Sequence, residues 1–469
     1  MDDIHARLLD LGLTIPRLLL PRNPADLSAW AVIACDQFTQ DRSYWERVRQ
    51  AVGDNVSTLH LIYPEVFLAE GPDKGEGRIA AIHRTMALYL EGDVFAPPLN
   101  GCMYIERDTP YHRRRRGLVV AVDLDRYDWE GRVRTLIRST EGTLPERLPA
   151  RMDIRRNAPL ESPHILLLVD DPQDILLGDL AGLSASAEPA YRGNLMLGSG
   201  SITGWRLDRE NQWARIAGRL ETLRLKAHDG FLYAVGDGNH SLAAAKGVWE
   251  EYKAAHTGEE GLAQNPLRFA LVEIENLHDP AISFEPIHRI VFNTDMDTLL
   301  GALAPLPGLR VLSPYGVPDG VPDGAPGGGP GKGPEKLCRL VGDRNAPKAR
   351  LGLVSGSRCL VLEADVPGLV TVALQPLLDR FAGGEVSIDY IHGGEELFRL
   401  TGTLPSASGQ PPGRRPSGGN SAVGILLPPV RKEDLFETVA RSGPLPRKSF
   451  SMGESVEKRF YLECRALGC

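Results

Sequence analysis

The sequence predicts an α/β fold of mixed sheets and helices, with α+β as the alternative arrangement, in a large N-terminal part and a smaller C-terminal part. Three observations carry this expectation. Apolar runs of strand length alternate with segments whose apolar residues recur at helical spacing. Two Gly/Pro-rich stretches punctuate the C-terminal third. A chain of 469 residues, 42% of them hydrophobic, is long enough for two or three packed domains.

In chain order, "ACDQFTQDRSYW" (34–45) follows apolar "WAVI" and so sets Cys35, Asp36 and Gln37 at a strand end, where open α/β sheets gather ligands. Asp36 is a candidate base. Cys35 is more simply a buried inert thiol than a nucleophile. "EGRIAAIHRTMALYLEG" (76–92) reads as a helix, and "GCMYIER" with "GLVVAVDL" as a hairpin whose tip, Arg113 to Arg116, is solvated. "HILLLVDD" (164–171) and "FALVEIENL" (269–277) are strands, and "SLAAAKGVWEEYKAAH" (241–256) is a helix. Further on, "LGLVSGSRCLVLE" and "AVGILLPP" continue as strands, and "RKEDLFETVARSG" (431–443) is a helix capped by Gly443. The expected division is a main domain over 1–304, a Gly/Pro-rich linker or insertion over 305–336, and a C-terminal α/β part over 337–469 with a disordered loop near 405–421.

Composition narrows the function. Fifty-three Lys and Arg against 61 Asp and Glu give a net charge of −8, which makes nucleic acid an improbable partner. No apolar run approaches membrane-span length. The N-terminus "MDDIHARLLDLGL" opens on two acids without a signal-peptide pattern, and six scattered cysteines form no C-x-x-C pair, so a cytoplasmic location is expected. "GSGSITG" is spaced wrongly for a dinucleotide fingerprint, and "GGGPGKGPE" lacks the first glycine and the hydroxyl residue of a phosphate loop.

The densest polar constellation is "GDGNHSLAAAK" (236–246), between the strand-like "FLYAV" and an alanine-rich helix. A helix that starts straight after a strand offers unpaired N–H groups and a positive dipole end, which suit an anion. Gly238 allows close approach or positive φ. Asn239 or Ser241 would cap the helix. Asp237 and His240 would add a base, a proton donor or a metal ligand. The bland alternative is a tight turn in which Asp237 and Asn239 bond the local backbone and His240 packs quietly. A second constellation, "LIRSTEGTLPERLPARMDIRR" (136–156), supplies Arg138, Thr140, Thr143 and Arg151 for phosphate or carboxylate, and Glu141 as a base or metal ligand; the plain reading is a solvated loop. Glu285, His288 and Lys448, each beside prolines, are candidates to complete a pocket.

Five blocks, "VIACDQFTQDRSYWERV", "LHLIYPEVFL", "LIRSTEGTLPERLPARMDIRRNAPLESPHILLLVDDP", "LYAVGDGNHSLAAAK" and "FEPIHR", resemble in order and spacing the DUF1015 family of prokaryotic proteins without an assigned function. Many members of that family carry Asp-Gly-His-His-Arg where this chain has Asp237 to Ser241. The Asp-Gly-x-His fragment is similar to ParB/sulfiredoxin-like domains, which include free serine kinases; there the segment helps to bind nucleotide phosphates. Together these readings predict a phosphoryl-transfer enzyme for a small metabolite, serine kinase-like or phosphoserine-hydrolysing, using Mg²⁺ at Asp237 and Glu141 and a nucleotide or pyrophosphate as donor. The alternative is a nucleotide- or metabolite-binding regulator without turnover.

Overall fold

A computed structural model describes residues 2–23, 27–70, 72–131, 133–315, 332–403 and 421–468. The chain forms two compact units: Met1–Ser283 together with Met452–Cys469, and Phe284–Ser451.

The first unit is built on a large mixed sheet. Its strands in chain order are β1 (Leu13–Thr14), β2 (Cys102–Asp108), β3 (Arg115–Asp123), β4 (Tyr127–Asp128), β5 (Ile137–Ser139), β6 (Leu166–Val169), β7 (Tyr191–Asn194), β8 (Ser201–Leu207), β9 (Tyr233–Asp237) and β10 (Phe269–Asn276). They lie in the order β7-β8-β2-β3-β10-β6-β9-β5-β4, with β1 on β3. β3 and β6 are near-continuous apolar runs because both faces of the central sheet are covered, and β10 is as buried although it carries Glu273 and Glu275, paired with Arg459 and Arg115. β9 runs antiparallel to β6 and parallel to β5, so the expected mixed sheet is observed.

The predicted hairpin is β2 with β3, but its arginines do not all face water. Arg115 is buried and bonds both carboxylate oxygens of Glu275 at 2.6 Å, while Arg116 pairs with Asp174 and Asp279. Only Arg113 and Arg114 are exposed. The run straddles turn and strand, so alternation sends its members to different surroundings.

Two helices frame the site. α1 (Leu148–Arg155) packs on α2 (Asn239–Ala255), with Met152 filling the space above Gly247. The alanines of α2, Ala243 to Ala245, are buried and let it lie close to the sheet. The C-terminal segment returns to this unit as short strands: Phe460–Tyr461 pairs with Val32–Ile33, and Cys464–Ala466 lies between Arg17–Leu19 and Leu160–Glu161. Burial of Phe460, Tyr461, Leu462 and Cys464 beside Trp30 and Trp45 holds it there.

The second unit has its own sheet, in the order Arg310–Tyr315, Arg358–Ala364, Ala349–Ser355, Ala422–Leu426, Phe284–Phe292, Ser387–His392. Its helices include α3 (Thr371–Phe381) and α4 (Asp434–Ser442); α4 ends on Gly443 at φ 75°, as expected. The linker expected over 305–336 falls inside this unit, since Arg310–Tyr315 is a paired strand and Lys332–Val341 a helix. Residues 316–331 of that stretch, and 405–420 of the loop expected near 405–421, lie outside the described residues. Gly and Pro density marks poor packing, whereas the units divide where pairing partners change, at 283/284 and 451/452.

Candidate functional site

The junction between β9 and α2 is a strand-turn-helix, as its sequence implies. Gly238, at φ 81° and ψ 25°, is the N-cap, and no side chain caps the first turn. This corrects the expectation that Asn239 or Ser241 caps the helix: Asn239 is its first residue and Ser241 its third. A left-handed turn is cheap only for glycine, and a Cβ at Gly238 would stand 3.1 Å from Ile165 Cα. The first-turn N–H groups of α2 are therefore left to other acceptors.

Asp237 points one carboxylate oxygen at the Gly238 N–H (2.9 Å) and the other at Lys458 Nζ (3.2 Å). Beside it, Asp36 Oδ2 lies 3.5 Å from His164 Nε2, an ion-pair distance, and Gln37 donates to Asp36 Oδ1 at 3.0 Å. The Cys35 N–H donates to Tyr461 Oη (3.3 Å), and Tyr461 Oη lies 2.7 Å from His164 Nδ1. Tyr461 Oη thus links the Cys35 N–H to His164 Nδ1, while Nε2 faces Asp36. Burial would push Asp36 up, but His164, Gln37 and Lys458 outweigh it and hold the carboxyl well below its ordinary value. Burial would push His164 down, but Asp36 and Asp237 raise it above the usual imidazole value.

A cavity of about 140 Å³ is lined in part by His164. Its polar lining includes Cys35, Glu65, Arg151, His164, Ser241 and Tyr461, and its remaining wall is mostly apolar. Arg151 is ion-paired with Glu65 across it. Ser241 carries the cavity to the first turn of α2. Burial, with Asp36 second, pushes the Cys35 thiol up to about 12, which disfavours its thiolate.

Of the sequence candidates, Asp36, Asp237, Gly238, Asn239, Ser241 and Arg151 thus converge around this junction and cavity. Thr140 and Thr143 are not among the cavity's lining residues; the Thr140 hydroxyl donates to the Val235 carbonyl at 2.5 Å and so ties the loop to β9. His240 Nε2 accepts from the Leu144 N–H (3.2 Å), which gives it an anchoring contact and leaves only Nδ1 to act as a donor. Glu141 lies half-buried in the same 140–144 loop. Arg138 is elsewhere: it faces Ala234 in the register, bonds the Asp229 carbonyl (2.9 Å) and sits over the Phe231 ring, at the far end of β9. Its register position opposite Ala234 and the nearby Asp229 keep it from the junction. Glu285, His288 and Lys448 belong to the second unit. There His288 accepts from the Leu427 N–H and burial holds its pKa down at about 4, while Lys448 stands over the Tyr390 ring.

Four participants were not singled out from sequence: Glu65, His164, Lys458 and Tyr461. The first two lie inside the blocks "LHLIYPEVFL" and "SPHILLLVDDP", where an acid after proline and a histidine opening a strand were the available signals. Lys458 and Tyr461 reach the site from the C-terminal return, which nothing local announces.

Among the described residues no group of three or more His, Cys, Asp or Glu side chains is placed to hold a metal ion. Asp237, expected to bind Mg²⁺ with Glu141, is already engaged by an ammonium and an amide. With Lys458, Arg151 and His164 beside the acids, these residues do not fit a protein-built cation site. Among the described residues two buried polar atoms near the junction, Thr143 Oγ1 and Asn239 Oδ1, have no hydrogen-bond partner.

The model of a family described as "Protein of unknown function (DUF1015)" matches residues 19–375. No curated protein matches the sequence. Solved structures with a related course include "Free serine kinase in complex with AMP", at 13% identity and TM-score 0.36, covering 74% of this chain and 92% of that one. SbnI with a C-terminal truncation, from Staphylococcus aureus, matches at 11% identity and TM-score 0.33, over 73% of this chain and 85% of its own. A conserved hypothetical protein from Pyrococcus furiosus matches at 13% identity and TM-score 0.33, over 71% and 90%. These likenesses are too distant to carry a functional argument. Among the described residues no helix is long and apolar enough to cross a membrane.

Proposed function

The chain belongs to the DUF1015 family, whose description states no activity, and from the site itself we propose that it is a phosphoryl-transfer enzyme acting on a small metabolite. The observation that carries this reading is the meeting of Asp36–His164 and Asp237–Lys458 at one uncapped helix start beside a small cavity. Phosphoryl transfer asks mainly for positioning and for charge neutralisation of the moving group. Lys458 and the first-turn amides of α2 supply the positive seat, with the Ser241 hydroxyl as a further donor. Asp36, held ionised by His164, receives the proton of an attacking hydroxyl, and Tyr461 fixes the histidine ring that orients it. Asp237 keeps Lys458 aimed at the junction.

The substrate is amino-acid-like. Glu65 and Arg151 pair across an otherwise largely apolar cavity, so a zwitterion can exchange that pair for two of its own, carboxylate to Arg151 and ammonium to Glu65. At about 140 Å³ the cavity falls below the roughly 300–1,000 Å³ of drug-sized pockets. A hydroxy amino acid such as serine, or its phosphate ester, has that chemistry and size. The donor in the forward direction is a nucleotide or pyrophosphate.

A second reading keeps the ligand and drops the turnover. Each acid of the cluster already holds a cationic partner, which suits a regulator that binds a phosphorylated metabolite without activating a nucleophile. The test incubates the full chain and Mg²⁺ with serine plus ADP, ATP or pyrophosphate, and separately with phosphoserine, following phosphate and phosphoserine. Turnover lost in Asp36→Asn supports the enzyme. Phosphoserine binding without turnover in any combination supports the regulator.

A further inference from the structure

The second unit contains a larger cavity, of about 360 Å³, walled by Val341 to Arg350, Asp365 to Thr371 and Leu427 to Asp434. That volume lies within the range of small-molecule sites, roughly 300–1,000 Å³. Two helices begin at its wall, α3 at Thr371 and α4 at Asp434, and neither has a side-chain cap bond. The Val372, Ala373, Asp434 and Leu435 N–H groups already bond the carbonyls of Leu369, Val370, Arg431 and Lys432, so what each helix start offers here is its positive dipole end. Thr371 is only 5% exposed, and among the described residues its hydroxyl has no hydrogen-bond partner, an uncommon state for a buried polar group. Arg350 Nε, in the same wall, is buried and lies 3.8 Å from Glu363 Oε2.

The charges on the wall are nearly matched. Lys348 pairs with Asp365 (3.2 Å), Arg350 with Asp343 (3.2 Å) and Arg431 with Asp434 (3.1 Å). Arg344 is exposed at the rim and has no acid partner among the described residues. One unmatched guanidinium, two helix starts and an unpaired hydroxyl together favour a tetrahedral anion. We propose that this cavity is a second ligand site, for the phosphate group of a small molecule, with Arg344 as its principal charge contact.

The proposal is independent of the phosphoryl-transfer reading, and its test removes the other site first. In the full chain carrying Lys458→Ala, calorimetric titration with inorganic pyrophosphate is expected to retain one molecule per chain. Adding Arg344→Glu should weaken that binding about tenfold or more, the loss of roughly one charge-assisted contact. Arg310→Glu, an exposed reversal on an edge strand away from the cavity, should leave it unchanged. Arg344→Gln serves if the reversal perturbs the thermal melt. No pyrophosphate binding in the Lys458→Ala chain, or equal affinity with and without Arg344, overturns the proposal.

Discussion

Asp36 and His164 hold each other charged, and the consequence is a stability that depends on pH in a defined window. A histidine raised in the folded state contributes stability that is complete below its unfolded value of 6.5 and is lost as pH rises through the folded value. A carboxylate lowered in the folded state contributes stability present above 3.8 and lost as pH falls through the folded value. Both contributions are in force between those limits. Asp36→Asn should therefore lower the urea midpoint most near pH 5 and least at alkaline pH; an identical difference at pH 5 and pH 9 would contradict the pairing. In turnover, the same substitution should reduce kcat by about 10²–10⁴-fold, the usual worth of a positioned acid or base, with little change in KM. A fall in KM-determined binding with kcat intact would assign Asp36 to substrate binding instead.

The turn from β9 into α2 is the element on which the site depends. Gly238→Ala would place a side chain in the left-handed region and against the Ile165 backbone, and should cost about 1–2 kcal/mol by urea denaturation. A smaller cost would mean that the turn relaxes to another conformation. The C-terminal return is held by buried arginines: Arg107 donates to the carbonyls of Glu457 (2.6 Å) and Lys458 (2.8 Å), and Arg115 to Glu457 (3.2 Å). Arg115→Met leaves Glu275 buried without its partner and should cost about 3–5 kcal/mol, measured the same way. The local pattern of this element was legible in the sequence, because Gly, Asp and Asn between a β run and an alanine-rich run leave few alternatives. Its cap was not: a glycine N-cap and a side-chain N-cap share one composition, and only the φ of Gly238 separates them.

At the scale of the whole chain, sequence reading could recognise elements and blocks but not the partners they meet. Periodicity shows β3 and α2 by themselves, whereas Tyr461 joins the site through a strand pair with Val32, more than 400 positions away, and Lys458 comes with the same return segment. Arg138 shows the converse error: a guanidinium in the right block, drawn by Asp229 to the wrong end of a strand. The Gly/Pro tract near 305–336 has the composition of a linker, yet its flanks are a strand and a helix of one unit. Truncation after Ser451 tests the closure of the first unit. It removes Phe460, Tyr461, Leu462 and Cys464 from an apolar core as well as Lys458, and should abolish cooperative unfolding of that unit by circular dichroism; an unchanged melt would show that the return strand is dispensable.

The most direct measurement is calorimetric titration of the full chain with O-phosphoserine, repeated for Lys458→Ala and Arg151→Ala. Binding at one molecule per chain, weakened by about tenfold or more in each variant, is the result expected if helix start, lysine and cavity form one site. Affinity untouched by both substitutions would contradict it.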